Sequence, residues 1–195
     1  MAAMTWTNTS EEGLESLIYA AMTGYREKPT VRDDEVAQAR GTGWLPGDAK
    51  SYNREYAVDL AELANFLTAT QEDKLESLGL DRDGPRRRKF LARLQGEISR
   101  RGVIDVLRGG VRHGPVDLDL FYPTPSPGNQ EAATLNAQNR FSVTRQLRYS
   151  RDETRLALDL CLFINGLPVA TFELKNSLTK QTVDVGFPWF RGHSI

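Results

Sequence analysis

The sequence predicts an α/β domain in which helices flank a central mixed β-sheet. Its first half carries apolar residues at helical spacing, and its second half carries alternating apolar residues and β-rich runs. Between two of these runs, Asn165-Gly166 is a strong signal for a β-hairpin. Helices followed by a cluster of strands are typical of an α/β or α+β architecture.

Three helices are expected in the first half of the chain. The first covers about residues 10–23, the second covers 57–68, and the third begins at Pro85 and ends at Gly102. Residues 26–53 contain Pro29, Pro46 and several glycines and are predicted to be mostly irregular. The apolar stripes expected to face the core are Leu14, Leu17, Ile18 and Ala21, then Leu60, Leu63, Ala64 and Leu67, then Phe90, Leu91, Leu94 and Ile98.

Strand patterns dominate the second half. Val116, Leu118 and Leu120 alternate with polar residues, which is the period of a half-buried strand. The elements expected after them are a loop at 123–129, a short helix at 130–138, and strands at 141–149 and within 156–175.

Composition places the chain among ordinary globular proteins, with 39% hydrophobic and 26% charged residues. The net charge of -1 means that any DNA-binding charge must be local. Cys161 is the single cysteine and cannot form an internal disulfide, which fits a reducing cytoplasm. No signal peptide is expected at the start, and no stretch approaches the roughly 18 apolar residues of a membrane span.

Three charged residues interrupt the apolar runs of residues 156–175. Asp159 lies in one run, and Glu173 and Lys175 lie in the other. Isolated charges in buried strands are costly unless they are paired or bind a metal. Glu173 and Lys175 are two positions apart, so a strand directs both to one face.

The register of the hairpin decides whether Asp159 joins them. A two-residue turn pairs Asp159 with Phe172, which places Asp159 and Glu173 on opposite faces. One extra residue, in the turn or in a bulge, pairs Asp159 with Glu173 instead. Pro168 cannot donate a ladder hydrogen bond, so a three-residue turn or a bulge is expected.

Two carboxylates and an ammonium brought together in this way suit Mg²⁺ and phosphodiester hydrolysis. Mg²⁺ prefers carboxylate, water and phosphate oxygens, and Lys175 could stabilise charge on the phosphate. The alternative is a structural ion pair that ties two strands together, and spacing alone leaves both interpretations open.

The arrangement Asp159…Glu173-x-Lys175 resembles the PD-(D/E)xK nuclease motif. The surrounding segments resemble the N-terminal nuclease region of the R (restriction and motor) subunit of type I restriction enzymes. These segments are FLTATQ (66–71), EISRRGVIDVLR (97–108), NRFSVTRQLRYS (139–150) and LDLCLFINGLPVATFELKNSLTKQTV (158–183). The resemblance therefore implies a restriction-endonuclease-like core.

The same resemblance implies roles for individual residues. Asp159 and Glu173 would be metal ligands for Mg²⁺, and Lys175 would be the catalytic lysine. Glu15 in the first helix best matches a further metal-binding glutamate of the family, although a solvated glutamate on the helix face is the alternative. ATP belongs to the full-length family, and this chain has no G-x-x-x-x-G-K-[ST] loop.

The family resemblance also sets the expected domain boundaries. Residues 1–183 would form the nuclease domain, with a helical part over about 10–102 and a sheet core over about 103–183. Residues 184–195 contain Gly186 and Pro188 instead of the family's next helix, and we expect them to be a non-family tail left by truncation.

Two groups of cations are candidates for contacts with DNA phosphates. One group lies near the start of the third helix and comprises Arg86, Arg87, Arg88 and Lys89; a solvated charged face is its alternative explanation. The other group, Arg145 and Arg148, lies close in sequence to the candidate site.

These observations predict a cytoplasmic, Mg²⁺-dependent endonuclease module that acts on double-stranded DNA in a restriction-modification system. Its partners would be the modification and specificity subunits of a type I complex. The alternatives are an inactive remnant or a module for assembly and DNA docking, and a stand-alone PD-(D/E)xK nuclease.

Overall fold

A computed structural model describes residues 11–25, 42–150 and 156–174 of the chain. This part contains five helices: α1 Glu11–Thr23, α2 Leu60–Leu78, α3 Pro85–Arg101, α4 Val103–Gly109 and α5 Gln130–Asn136. Its strands are β1 Leu45–Pro46, β2 Tyr52–Asn53, β3 Val58–Asp59, β4 Val111–His113, β5 Val116–Leu118, β6 Phe141–Leu147, β7 Leu158–Ile164 and β8 Leu167–Phe172.

The main sheet has four strands in the order β1-β6-β7-β8. β1 pairs parallel with β6, and the other neighbours pair antiparallel, so the predicted mixed sheet is confirmed. β2 and β3 form a separate two-stranded ribbon, as do β4 and β5. One edge strand of the main sheet, β1, thus comes from a region that the sequence analysis assigned to the helical part.

Helix α1 covers the predicted range, but its buried face differs from the predicted one. Leu14 and Leu17 are 44% and 57% exposed, and Ile18 packs against the sheet. The face toward β6 also carries Glu15 and Tyr19, both buried. The predicted stripe was therefore wrong for Leu14 and Leu17, because the spacing of apolar residues does not account for Glu15, a buried charge that is paired with Arg145 of β6.

Helix α2 starts close to the predicted position and runs ten residues longer than the predicted end at 68. Its first turn is capped by Asp59, whose side chain accepts hydrogen bonds from the backbone N–H groups of Ala61 and Glu62. Helical geometry breaks at Gln71 (φ -151°, ψ 42°) and then resumes. The Gln71 side chain donates to the Asp119 carbonyl and accepts from the Asp119 N–H, which joins the break to the segment after β5.

Helix α3 agrees with its sequence prediction. It begins at Pro85, and Gly102 terminates it with a positive φ of 84°. All four residues of its predicted stripe are buried: Phe90, Leu91, Leu94 and Ile98. Together with α2, α4 and the β4-β5 ribbon, α3 encloses the largest apolar cluster, while Tyr19, Val143 and Leu160 centre a second cluster between α1 and the main sheet.

The hairpin of β7 and β8 has the expected Asn165-Gly166 turn of two residues, with Ile164 opposite Leu167. The register then shifts by one between Leu162 and Phe163, so that a bulge interrupts the pairing near Pro168. The bulge is therefore confirmed, and the three-residue turn is not used.

The Asn165-Gly166 turn is buried against the start of α2. Asn165 has φ 51° and is fully buried, and its side chain donates to the Leu120 carbonyl and accepts from the Arg140 N–H. The Gly166 carbonyl accepts from the Asp59 N–H at 2.8 Å. The turn thus fixes the hairpin to the helical layer. No helix in the described part of the chain is long and apolar enough to cross a membrane.

Candidate active site

The bulge determines the position of Asp159. Beyond it, Leu160 lies opposite Phe172 and Cys161 opposite Thr171. This register, continued by one residue, would set Asp159 opposite Glu173. The backbone N–H of Leu174 donates to Asp159 Oδ2 at 2.5 Å. The segment just after β8 is therefore bound to the Asp159 carboxylate through Leu174, the residue that follows Glu173.

Glu15 reaches the same region from α1. Its side chain is 4% exposed and faces β6, so the interpretation as a solvated helix-face glutamate is wrong. Glu15 Oε1 accepts from Arg145 Nε at 2.5 Å, and Arg145 also donates to the Ser16 hydroxyl. A buried carboxylate needs such a partner, because burial of an unpaired charge costs several kcal/mol.

Gln146 joins the two carboxylates. Its Nε2 donates to Glu15 Oε2 at 2.6 Å and to Asp159 Oδ1 at 3.4 Å. One oxygen of Glu15 and one of Asp159 therefore lie within about 6 Å of each other. Gln146 has φ 48°, which a residue other than glycine rarely adopts within a strand.

Arg145 is engaged inside the protein. Its side chain is 16% exposed, pairs with Glu15 and lies over the Tyr19 ring, 5.3 Å from the centroid. Arg148, the other predicted phosphate contact in this region, is exposed, and its carbonyl accepts from Arg54 Nε. Of these two cations, Arg148 is the one whose side chain is open to solvent.

Glu173 is exposed and lies near Tyr149. Burial raises the pKa of the Tyr149 phenol, and the negative charge of Glu173 raises that pKa further. Lys175 lies outside the described residues. The expectation that Asp159 and Glu173 bind one ion, which requires their carboxylates to lie within roughly 6 Å of each other, stays a prediction.

The chemistry of these side chains fits Mg²⁺. Glu15, Asp159 and Glu173 offer only oxygen donors, and Mg²⁺ commonly uses one or two carboxylates together with water and phosphate. The shared hydrogen bonds of Gln146 Nε2 show that Glu15 and Asp159 converge on one small donor. Within residues 11–25, 42–150 and 156–174, no group of three or more His, Cys, Asp or Glu side chains is arranged to hold a metal ion.

The cations of α3 lie in another part of the fold. α3 packs against α4 and β4, whereas Asp159 lies in β7. Three of the four cations are exposed and Arg87 is partly buried; the exposed ones are Arg86, Arg88 and Lys89. The structure therefore does not bring this basic turn into the Asp159 cluster.

These features define a mixed α/β domain in which Gln146 of β6 joins Glu15 of α1 to Asp159 of β7. Residues 121–188 match the family model for the type I restriction enzyme R protein N terminus. This segment contains β6, β7 and β8 and is similar to the N-terminal region of the R proteins of type I restriction enzymes.

The match covers about a third of the chain and excludes Glu15 and α3. It runs past residue 183, where the sequence analysis ended the resemblance. Comparisons with curated proteins and with solved structures returned no match.

Sequence reasoning missed two residues of this cluster. Tyr19 supports Arg145 from α1, and Gln146 bridges Glu15 and Asp159. β6 and β7 pair so that Arg145 lies opposite Leu160 and Leu147 opposite Leu158, which places Gln146 across from Asp159. The pairing of β6 with β7 could therefore have indicated that Gln146 lies near Asp159. Nothing in the sequence indicated the positive φ of Gln146.

Proposed function

We propose that this chain is the Mg²⁺-dependent endonuclease domain of a type I restriction R subunit, and that it hydrolyses phosphodiester bonds of double-stranded DNA. The Leu174 N–H bond to Asp159 carries the proposal, because it joins Asp159 to the end of β8 next to Glu173. The bulge at Leu162/Phe163 supports it by setting that register. The family match of residues 121–188 gives the restriction context.

Each acidic residue has a distinct part in this proposal. Asp159 and Glu173 hold the ion, and Glu15 adds an oxygen from α1, kept in place by Arg145. Mg²⁺ held by these residues would lower the pKa of a bound water and offset negative charge on the phosphate. Lys175 would donate to a phosphate oxygen, in line with the catalytic role that the resemblance to PD-(D/E)xK nucleases implies for it.

Contacts with DNA and with other subunits extend the proposal. Arg148 and the α3 cations Arg86, Arg88 and Lys89 are the solvent-accessible candidates for the DNA backbone. The modification and specificity subunits are the proposed protein partners. The proposed location is the cytoplasm, where the buried Cys161, whose pKa burial raises to about 12, stays a thiol.

Calorimetric titration of the chain with Mg²⁺ and Mn²⁺ tests the proposal. The wild-type protein is expected to bind one ion at millimolar concentrations or below, and Asp159→Ala is expected to lose this binding. Asp105→Ala, which removes an exposed carboxylate from α4, is the control and should leave binding unchanged. A folded wild-type protein that binds neither ion would refute the proposal.

The second candidate is a module that assembles with other subunits or docks on DNA without cutting it. Two observations favour it: Glu15 is already paired with Arg145, and the described residues hold no three-ligand group. This candidate predicts a folded chain that binds no divalent ion and whose binding to subunits or DNA is unaffected by Asp159→Ala.

A further inference from the structure

Gln146 lies where two negative groups meet. Its amide nitrogen is 2.6 Å from Glu15 Oε2 and 3.4 Å from Asp159 Oδ1. The other oxygen of each carboxylate has a separate partner, Arg145 for Glu15 and the Leu174 N–H for Asp159. Gln146 therefore binds the oxygen of each carboxylate that Arg145 and Leu174 do not bind, Glu15 Oε2 and Asp159 Oδ1.

We propose that Gln146 is a positioning residue whose amide occupies, in the metal-free protein, the place between Glu15 and Asp159 that a divalent cation takes. The inference rests on the proposed metal-dependent function. An N–H group carries partial positive charge, so one donor shared by two carboxylates offsets their mutual repulsion. The Gln146 amide thus holds the two oxygens near each other without an ion.

A bound ion and the Gln146 amide exclude each other from this position. Two oxygens on one Mg²⁺ lie at most roughly 4 Å apart, because each bond is about 2.1 Å long. An ion bound to both oxygens would lie about 2.1 Å from each, in the region that Gln146 Nε2 occupies at 2.6 Å and 3.4 Å from them, so the amide would have to leave. Gln146 is exposed, so its side chain has room to turn toward solvent.

This competition predicts opposite effects on stability and on metal affinity. Without the amide, the metal-free protein loses a charge-assisted bridge and becomes less stable. The ion no longer displaces that bridge, so it binds more tightly. A gain of about tenfold in affinity is expected, since a hydrogen bond to a charged group contributes about 1.5 kcal/mol and each 1.4 kcal/mol is a factor of ten.

The test compares the 195-residue wild-type chain with Gln146→Met, which keeps the length and removes the donor. Mn²⁺ affinity is measured by calorimetry, and the unfolding temperature is measured with and without Mn²⁺. The variant should unfold at a lower temperature without the ion, bind Mn²⁺ about tenfold more tightly, and show the larger rise in unfolding temperature when Mn²⁺ is added.

Two further variants separate the effect of the lost amide from the effect of the backbone conformation at residue 146. Gln146→Gly suits the φ of 48° and also lacks the amide, so it should show the same gain in affinity. Gln138→Met, which alters an exposed glutamine after α5, should change neither measurement. A purely structural Gln146 would lower stability and affinity together, which would overturn the inference.

The remaining outcomes distinguish this inference from the function on which it rests. Equal Mn²⁺ affinity in the wild type and in Gln146→Met would overturn only the proposal that the Gln146 amide occupies the position of the cation. No binding in either protein would overturn the proposed metal-dependent function and the inference with it.

Discussion

Glu15 and Arg145 form the ion pair that fixes α1 to β6 beside Asp159. Both side chains are largely withdrawn from water, at 4% and 16% exposure. Removal of one partner from such a pair leaves an uncompensated charge, which costs far more than the pair itself contributes. The position of Glu15 near the candidate metal ligands therefore depends on Arg145.

Arg145→Met should lower the free energy of unfolding by about 3 kcal/mol or more, because Glu15 then stays buried without its cation. Glu15→Gln combined with Arg145→Met should recover part of that loss. Urea denaturation measures both. The control is Arg100→Met, which removes an exposed partner of Glu97 and should cost far less, because exposed ion pairs contribute little to stability. Equal losses of stability in Arg145→Met and Arg100→Met would show that the buried pair contributes no more than the exposed pair.

The β7-β8 hairpin connects the sheet to α2 through its turn. Gly166 has φ 81°, and an added Cβ would lie 2.5 Å from the Asp59 carbonyl oxygen and 2.6 Å from the Leu63 nitrogen. Both contacts are with backbone atoms of the start of α2, which cannot move without disturbing the helix cap. The turn therefore needs glycine for its conformation and for the close approach.

Gly166→Ala should destabilise the protein by clearly more than the roughly 1–2 kcal/mol expected for alanine at positive φ alone. Gly128→Ala is the matched control, since Gly128 has φ 87° and no atom within 4 Å of an added Cβ. Thermal unfolding compares the two variants. Similar losses in both would mean that the turn does not pack tightly on α2.

His113 in β4 makes the free energy of unfolding depend on pH. Its ring packs edge-on against Phe90, with centroids 5.5 Å apart. Burial lowers the pKa of His113 below the usual 6.5, and the charges of Arg93 and Lys89 lower it further. The neutral form is therefore favoured in the folded protein.

The contribution of His113 to stability is fully present above about pH 6.5 and is lost as the pH falls through its lowered pKa. The free energy of unfolding should thus decrease on acidification below that value. His113→Phe should make this decrease smaller, as measured by denaturation at a series of pH values. An unchanged pH profile in the variant would contradict the assignment.

Local chemistry allowed much of this fold to be predicted. The Asn-Gly turn, the bulge near Pro168 and the stripe of α3 all follow from residue preferences that act over a few positions. The inward face of α1 did not follow, because Glu15 is buried only through its pairing with Arg145, 130 residues away. The role of Gln146 likewise depends on contacts between three elements, which spacing within one segment does not reveal.

Charge over the whole molecule bears on DNA binding. The net charge of -1 provides little general attraction to a duplex, so binding must depend on local cations. The exposed cations of α3 and Arg148 belong to different parts of the fold. Attraction from a few such contacts weakens steeply as salt is added.

Replacement of Arg86, Arg88 and Lys89 by glutamine should reduce the slope of log affinity against log salt by up to about 0.9 for each phosphate contact that is lost. Fluorescence anisotropy with a duplex oligonucleotide measures this slope. Arg100→Gln is the control, because Arg100 is already paired with Glu97 at 2.6 Å. The same slope in the triple variant and in the wild type would exclude α3 from the DNA contact.

A crystal of the chain soaked in Mn²⁺ and measured by anomalous diffraction tests most directly whether Asp159 and Glu173 share a metal. One Mn²⁺ peak is expected, in contact with an oxygen of each residue and with the two carboxylates separated by roughly 6 Å or less. Carboxylates on opposite faces of the sheet, or no peak between them at millimolar Mn²⁺, would contradict it.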